Sequence, residues 1–164
     1  MSPIDWATRP LKKYADFSGR APRAEFWWYM LMLIIAFVVL MIVESVMGLG
    51  KIFATYGPLT LVLMVATFVP SLAVQVRRLH DTNRSGWWLL AFYLPYGVSV
   101  ALTVRAMQAM GAGATDMSSV GIAGIVMLVS LLIGIALLVF YCLRGTQGDN
   151  RFGADPYAGE PAYA

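Results

Sequence analysis

Four long uncharged runs divide the chain, Phe26–Val43, Ile52–Val76, Ser85–Val104 and Met117–Leu143, and polar residues gather between them. A helix needs roughly 20 apolar residues to cross a hydrocarbon core about 30 Å thick, and each run is close to that length. The pattern predicts an all-α polytopic membrane protein with four transmembrane helices, spanning about 26–47, 55–76, 86–104 and 118–143. This four-helix domain, 26–143, is preceded by a segment 1–25 and followed by a tail 144–164. The first run is too long for a cleavable signal and is expected to be retained as a span.

Finer features refine the elements. Glu44 near the end of the first run is expected to reach the membrane interface, and Pro58 suits the first position of the second helix. Pro70, inside that helix, is expected to be a static packing feature. Arg105–Asp116, rich in Gly, Ala and Met, reads as a loop. Ser130 and Gly134 form a small-residue pair that favours close helix packing, within the bundle or between copies in a homo-oligomer. Before the first span, Leu11, Tyr14 and Ala15 at i, i+3 and i+4 predict a short helix lying along the membrane surface. Ser18, Gly19 and Pro22 then turn the chain toward the first span.

Composition agrees with the run pattern: 59% of residues are hydrophobic and 13% charged, against about 45–50% and about 25% in ordinary globular chains. The net charge of +3 does not point to nucleic acid, because no soluble basic domain is left to present it. The bilayer is the expected partner. Cys142 is the only cysteine, which excludes an intrachain disulfide and a cysteine-based metal site.

Charge distribution predicts orientation. With four spans, Arg9, Lys12, Lys13, Arg20, Arg23, Arg77, Arg78, Arg84, Arg144 and Arg151 fall on one side, with only Lys51 and Arg105 on the other. Short loops rich in Lys and Arg stay inside, so both termini are expected to be cytoplasmic. Three polar motifs meet on that side. The first holds Arg20, Arg23, Glu25, Trp27 and Trp28; the second Arg77, Arg78, His80, Asp81, Arg84, Trp87 and Trp88; the third Arg144, Asp149, Asn150 and Arg151.

The segments "YADFSGRAPRAEFWW", "PSLAVQVRRLHDTNRSGWW" and "RGTQGDNRFGADP", in this order, resemble the small bacterial inner-membrane family known as domain of unknown function 805. The resemblance covers about Leu11 to Pro156 and implies a multi-pass protein of the bacterial inner membrane, with no transferable substrate, activity or cofactor. Asn83 stands where the family is expected to have glycine. Asn is the next best residue for a left-handed turn, so the turn is expected to survive.

The polar residues offer little for catalysis. His80 and Asp81 form an acid–base pair in sequence, but one histidine and one cysteine do not make a metal site, and no serine stands in a nucleophile-elbow context. Neither catalytic nor cofactor-binding residues are assigned. Asp81, at i+4 from Arg77 and i+3 from Arg78, is better suited to tying the end of the second span together. The leading expectation is a non-catalytic protein whose Arg/Trp surface binds anionic lipid headgroups or a membrane partner protein. A small oligomeric transporter or channel hinged at Pro70 and Pro95, and a membrane enzyme acting on lipid, are the alternatives.

Overall fold

A computed structural model describes residues 1–49, 56–111 and 117–158. The chain is all-α, with five helices: α1 (Pro3–Lys12), α2 (Arg23–Val46), α3 (Pro58–Asp81), α4 (Trp87–Gly111) and α5 (Met117–Cys142). The last four are long and apolar enough to cross a membrane. They divide between two compact units, residues 1–84 with 144–164 and residues 85–143.

In the first unit α2 and α3 run antiparallel, clasped at both ends. At one end the Arg77 guanidinium pairs with Glu25 at 2.5 Å. At the other the buried Glu44 carboxylate accepts the backbone N–H groups of Leu59 and Thr60, at 2.5 and 2.9 Å, and the Thr60 hydroxyl at 2.6 Å. Pro58 occupies the first turn of α3 and no residue of that helix caps its own free N–H groups, so Glu44 caps it from the neighbouring helix. Glycine at position 57 leaves room for this cap, because a β-carbon there would overlap the Glu44 carboxylate and force it to shift. At about 1.5 Å per residue the two clasps stand about 26–29 Å apart along the helices. That is close to the thickness of a hydrocarbon core.

α1 differs from the expected short helix. It starts at Pro3, capped by Ser2 and Asp5 in a reciprocal capping box, and it ends before Tyr14. The Ser2-Pro3-x-Asp5 order is a start signal: a cap, a proline at the first turn and an acid facing the free N–H groups. α1 packs on α2 and α3, with Arg9 beside Glu25 and Ile4 near Trp28–Ile35, so it runs back along the first turns of α2. Tyr14, beyond the helix, donates its hydroxyl to the Ala66 carbonyl at 2.7 Å. Pro70 carries no N–H, so that carbonyl lacks its usual i+4 donor, and the tyrosine replaces it.

In the second unit α4 and α5 pair antiparallel. Trp88 meets Phe140 edge to face, Phe92 lies over Gly134, and the Ser99 hydroxyl approaches the Met127 sulfur at 3.6 Å. Ser130 is buried one turn before Gly134, and its hydroxyl bonds back to Val126. α4 runs through Arg105 to Gly111, where a loop from 105 to 116 is the sequence expectation; Ala106, Met107, Gln108 and Met110 are good helix formers and prolong it. Residues 112–116 of that expected loop lie outside the described residues.

Candidate functional site

The polar residues of the first unit come together where α2 begins and α3 ends. Glu25 lies three positions into α2 and, like Tyr29, whose hydroxyl meets Ser71, faces α3; Phe26 and Leu33 are buried with them. α3 remains helical through Asp81, which places Arg77, Arg78 and Asp81 on its last turn. The chain then reverses through Asn83, whose φ of 57° is the left-handed conformation expected of it.

Two carboxylates organise the cluster. Asp81, 1% exposed, accepts from Arg20 Nε at 3.0 Å on one oxygen and pairs with Arg78 on the other. Glu25 pairs with Arg77 on one oxygen and faces Arg9 Nε at 3.4 Å on the other. Arg77 and Arg78 have no solvent exposure and Arg20 has little. Sequence spacing assigns both Arg77 and Arg78 to Asp81; the structure keeps the i+3 pair and sends Arg77 across to Glu25, since successive residues on a helix point about 100° apart. Four guanidinium groups thus share two carboxylates. The Nε and Nη2 atoms of Arg77 and Oε2 of Glu25 are buried without a hydrogen-bond partner among the described residues.

The segment after α5 closes this cluster from outside. Arg20 donates to the carbonyls of Thr146 at 2.5 Å and Gly148 at 2.6 Å. Thr146 in turn donates its N–H, at 2.8 Å, and its hydroxyl, at 3.1 Å, to the Asp81 carbonyl. The Asn150 amide bonds the His80 carbonyl at 2.9 Å. Gly145 is pressed against the Asp81 carboxylate, leaving no room for a β-carbon. His80 stacks on Phe152 at 3.9 Å, nearly parallel, and its Nδ1 meets the Gly19 carbonyl at 3.2 Å. The Arg151 guanidinium covers the same phenyl ring at 4.6 Å and bonds the Asn83 carbonyl. Asp155 accepts the N–H groups of Tyr157 and Gly148, which hold its carboxyl below the usual aspartate range.

Three distant segments, about 16–25, 77–84 and 144–157, are therefore one interlocked polar knot. Of the residues singled out from sequence, it contains Arg20, Glu25, Arg77, Arg78, His80, Asp81, Asn150 and Arg151. Arg23, Trp27 and Trp28 stand exposed beside it. Arg84 bonds the Thr82 carbonyl from the turn, since α4 begins only at Trp87. Arg144 and Asp149 are exposed in the closing segment. Trp87 and Trp88 belong to the second unit. Sequence reasoning did not single out Arg9, Gly145, Thr146 or Phe152, although the last three lie within the third motif.

A family model described as "Protein of unknown function (DUF805)" matches residues 14–154, which takes in the first two segments of the knot and most of the third. The chain belongs to the DUF805 family. Inner membrane protein YhaI of Escherichia coli K12 is 33% identical to it over 157 residues, 95% of this chain and 98% of that protein. Inner membrane protein YhaH of the same strain is 35% identical over 153 residues, 93% and 97% of the two chains. E. coli protein YiiR is 28% identical over 141 residues, 85% of each. No solved structure matches. This DUF805 protein is an integral inner-membrane protein, in keeping with its four apolar helices.

Proposed function

We propose that this DUF805 protein is a non-catalytic membrane protein, with both termini in the cytoplasm, whose cationic and aromatic surface around the knot binds anionic lipid headgroups. The observation that carries the reading is the surplus of positive charge. Segments 1–29, 77–84 and 144–158 hold ten lysines and arginines against six acidic residues. Arg20, Arg77 and Arg78 are buried in the knot, whereas Arg23 and Arg144, with Arg151 at the knot's outer edge, are exposed and are the cations that meet headgroups. The buried cations behind them add to the field that attracts a phosphate. Arg23 lies with Trp27 and Trp28 around an open cleft of about 330 Å³. Tryptophan suits the headgroup level, having an apolar body and an N–H donor.

Native mass spectrometry of the full chain, released from equimolar phosphatidylglycerol and phosphatidylcholine, tests this. The expected result is preferential retention of phosphatidylglycerol that weakens when Arg23 and Arg144 are replaced together by Gln. Equal retention of both lipids by the wild type refutes it. Orientation is tested separately by labelling single cysteines at Ser2 and Ala158 in a Cys142→Ser background. Both are expected to react in inverted vesicles and not in intact spheroplasts.

A further inference from the structure

We infer that the face between α1 and α2 is a discrete site for one anionic phospholipid, with its phosphate at Arg23 and an acyl chain in the groove beneath α1. The inference rests on the headgroup reading above and adds a defined place, stoichiometry and chain contact.

α2 has two faces at its amino-terminal end. Glu25 and Tyr29 reach Arg77 and Ser71 of α3, and both are buried together with Phe26 and Leu33. At about 100° per residue, Arg23, Trp27, Trp28, Leu31 and Ile35 occupy the opposite side. Along that side the chemistry changes in order: a cation at the helix start, two indoles, then aliphatic side chains. A phospholipid changes in the same order, from phosphate through the ester region to the hydrocarbon chain.

The cavities follow that order. The cleft at Arg23 and Trp27 shares Trp28 and Leu31 with a second, apolar groove of about 290 Å³. α1 forms the other wall of this groove with Ile4, Ala7 and Thr8, and the Thr8 hydroxyl donates its proton back to the Ile4 carbonyl rather than into the groove. The wall formed by Leu31 and Ile35 belongs to a membrane-spanning helix, so hydrocarbon is the medium that meets it. The polar end lies beside the cation-rich knot. Charge complementarity and the apolar lining together select a lipid that is anionic at one end, over a peptide or a soluble anion.

The experiment uses the full chain in nanodiscs of phosphatidylglycerol and phosphatidylcholine, with a phosphatidylglycerol carrying a photoreactive diazirine on its acyl chain. Crosslinks are mapped by peptide mass spectrometry. Labelling is expected to concentrate on Ile4–Thr8 and Leu31–Ile35 and to be competed by phosphatidylglycerol, but not by phosphatidylcholine or by glycerol phosphate. Leu31→Trp, which fills the groove, and Arg23→Gln, which removes the cation, are each expected to lower this labelling about tenfold, the effect of losing one good contact. Val62→Trp, on an exposed part of α3, leaves it unchanged. Labelling spread evenly over all lipid-facing helices, or undiminished by Leu31→Trp, overturns the groove site while leaving the headgroup preference standing. Protein–protein crosslinks through the groove assign it to a second copy and likewise overturn the lipid site. No preference for phosphatidylglycerol in the wild type overturns both readings.

Discussion

Asp81→Asn removes one negative charge from the centre of the knot while nearly preserving shape. In the wild type that carboxylate faces Arg20 and Arg78, and all three groups are nearly inaccessible to water. Breaking a buried ion pair by removing one partner costs about 3–5 kcal/mol, because the remaining charge is left uncompensated. Arg20 keeps its bonds to the Thr146 and Gly148 carbonyls, which places the expected cost near the lower end, about 3 kcal/mol. The same carbonyls belong to the closing segment, so its release is the cheapest way to let water reach the two guanidinium groups. A cost of about 3 kcal/mol raises the open population about a hundredfold. Trypsin reads that population directly, because Arg144 and Arg151 lie within the segment and cleavage tracks the open fraction when opening is fast. In detergent or nanodiscs the variant is expected to be cut after these residues about two orders of magnitude faster than wild type. Converting the triad to hydrocarbon, Arg20→Met with Arg78→Met and Asp81→Leu, is expected to recover most of the resistance, since apolar replacements of buried ion pairs are often neutral or better. A cleavage rate for Asp81→Asn within threefold of wild type refutes this account of the knot.

Other expectations follow from individual contacts. Gly145→Ala and Gly57→Ala drive a methyl group into the Asp81 and Glu44 carboxylates and are expected to cost about 1–3 kcal/mol each in reversible unfolding. Gly121→Ala, on α5 where nothing lies near, is expected to be neutral or slightly stabilising. Tyr14→Phe strands the Ala66 carbonyl and should lose about 1 kcal/mol. Pro70→Ala returns a donor to that carbonyl, so the double variant should be less destabilised than the two changes added, and strict additivity contradicts the pairing. For Asp155, hydrogen bonds from Tyr157 and Gly148 lower the folded pKa below the unfolded value of about 3.9. Its contribution is therefore complete above that value and disappears as pH falls through the folded pKa. Amide exchange at Gly148, corrected for intrinsic rate, is expected to quicken below about pH 4, and Asp155→Asn should remove this dependence.

The long helices were legible because a membrane span is a one-dimensional signal: uninterrupted apolar length. The Asn83 turn was legible too, since one residue's φ preference decides it. Arg78 with Asp81 could be read from helix spacing, but Arg20 with Asp81 and Arg77 with Glu25 could not. Those pairs join residues 61 and 52 positions apart, and only the packing of α2 on α3 chooses them over the nearer Arg77–Asp81 pair. α1 was misplaced for another reason. The apolar spacing at Leu11 and Tyr14 outweighed the capping residues at its true start, and Tyr14 turned out to serve a carbonyl that proline exposes in α3. Glu44 was expected to reach the interface, but its role as a buried cap for the following helix was not read, because that depends on the packing of α2 against the start of α3.

The order of synthesis gives the knot a further consequence. Arg20, Arg78 and Asp81 emerge from the ribosome well before Thr146 and Gly148, the residues that complete their hydrogen bonding and cover them. Until α4 and α5 have been made, the first hairpin carries charges that are paired but unsealed. The closing segment follows those helices directly. Its docking can therefore take place only after α5 has been synthesised. A truncation before Arg144 should leave the hairpin exposed to membrane quality-control proteases even though both of its spans are intact.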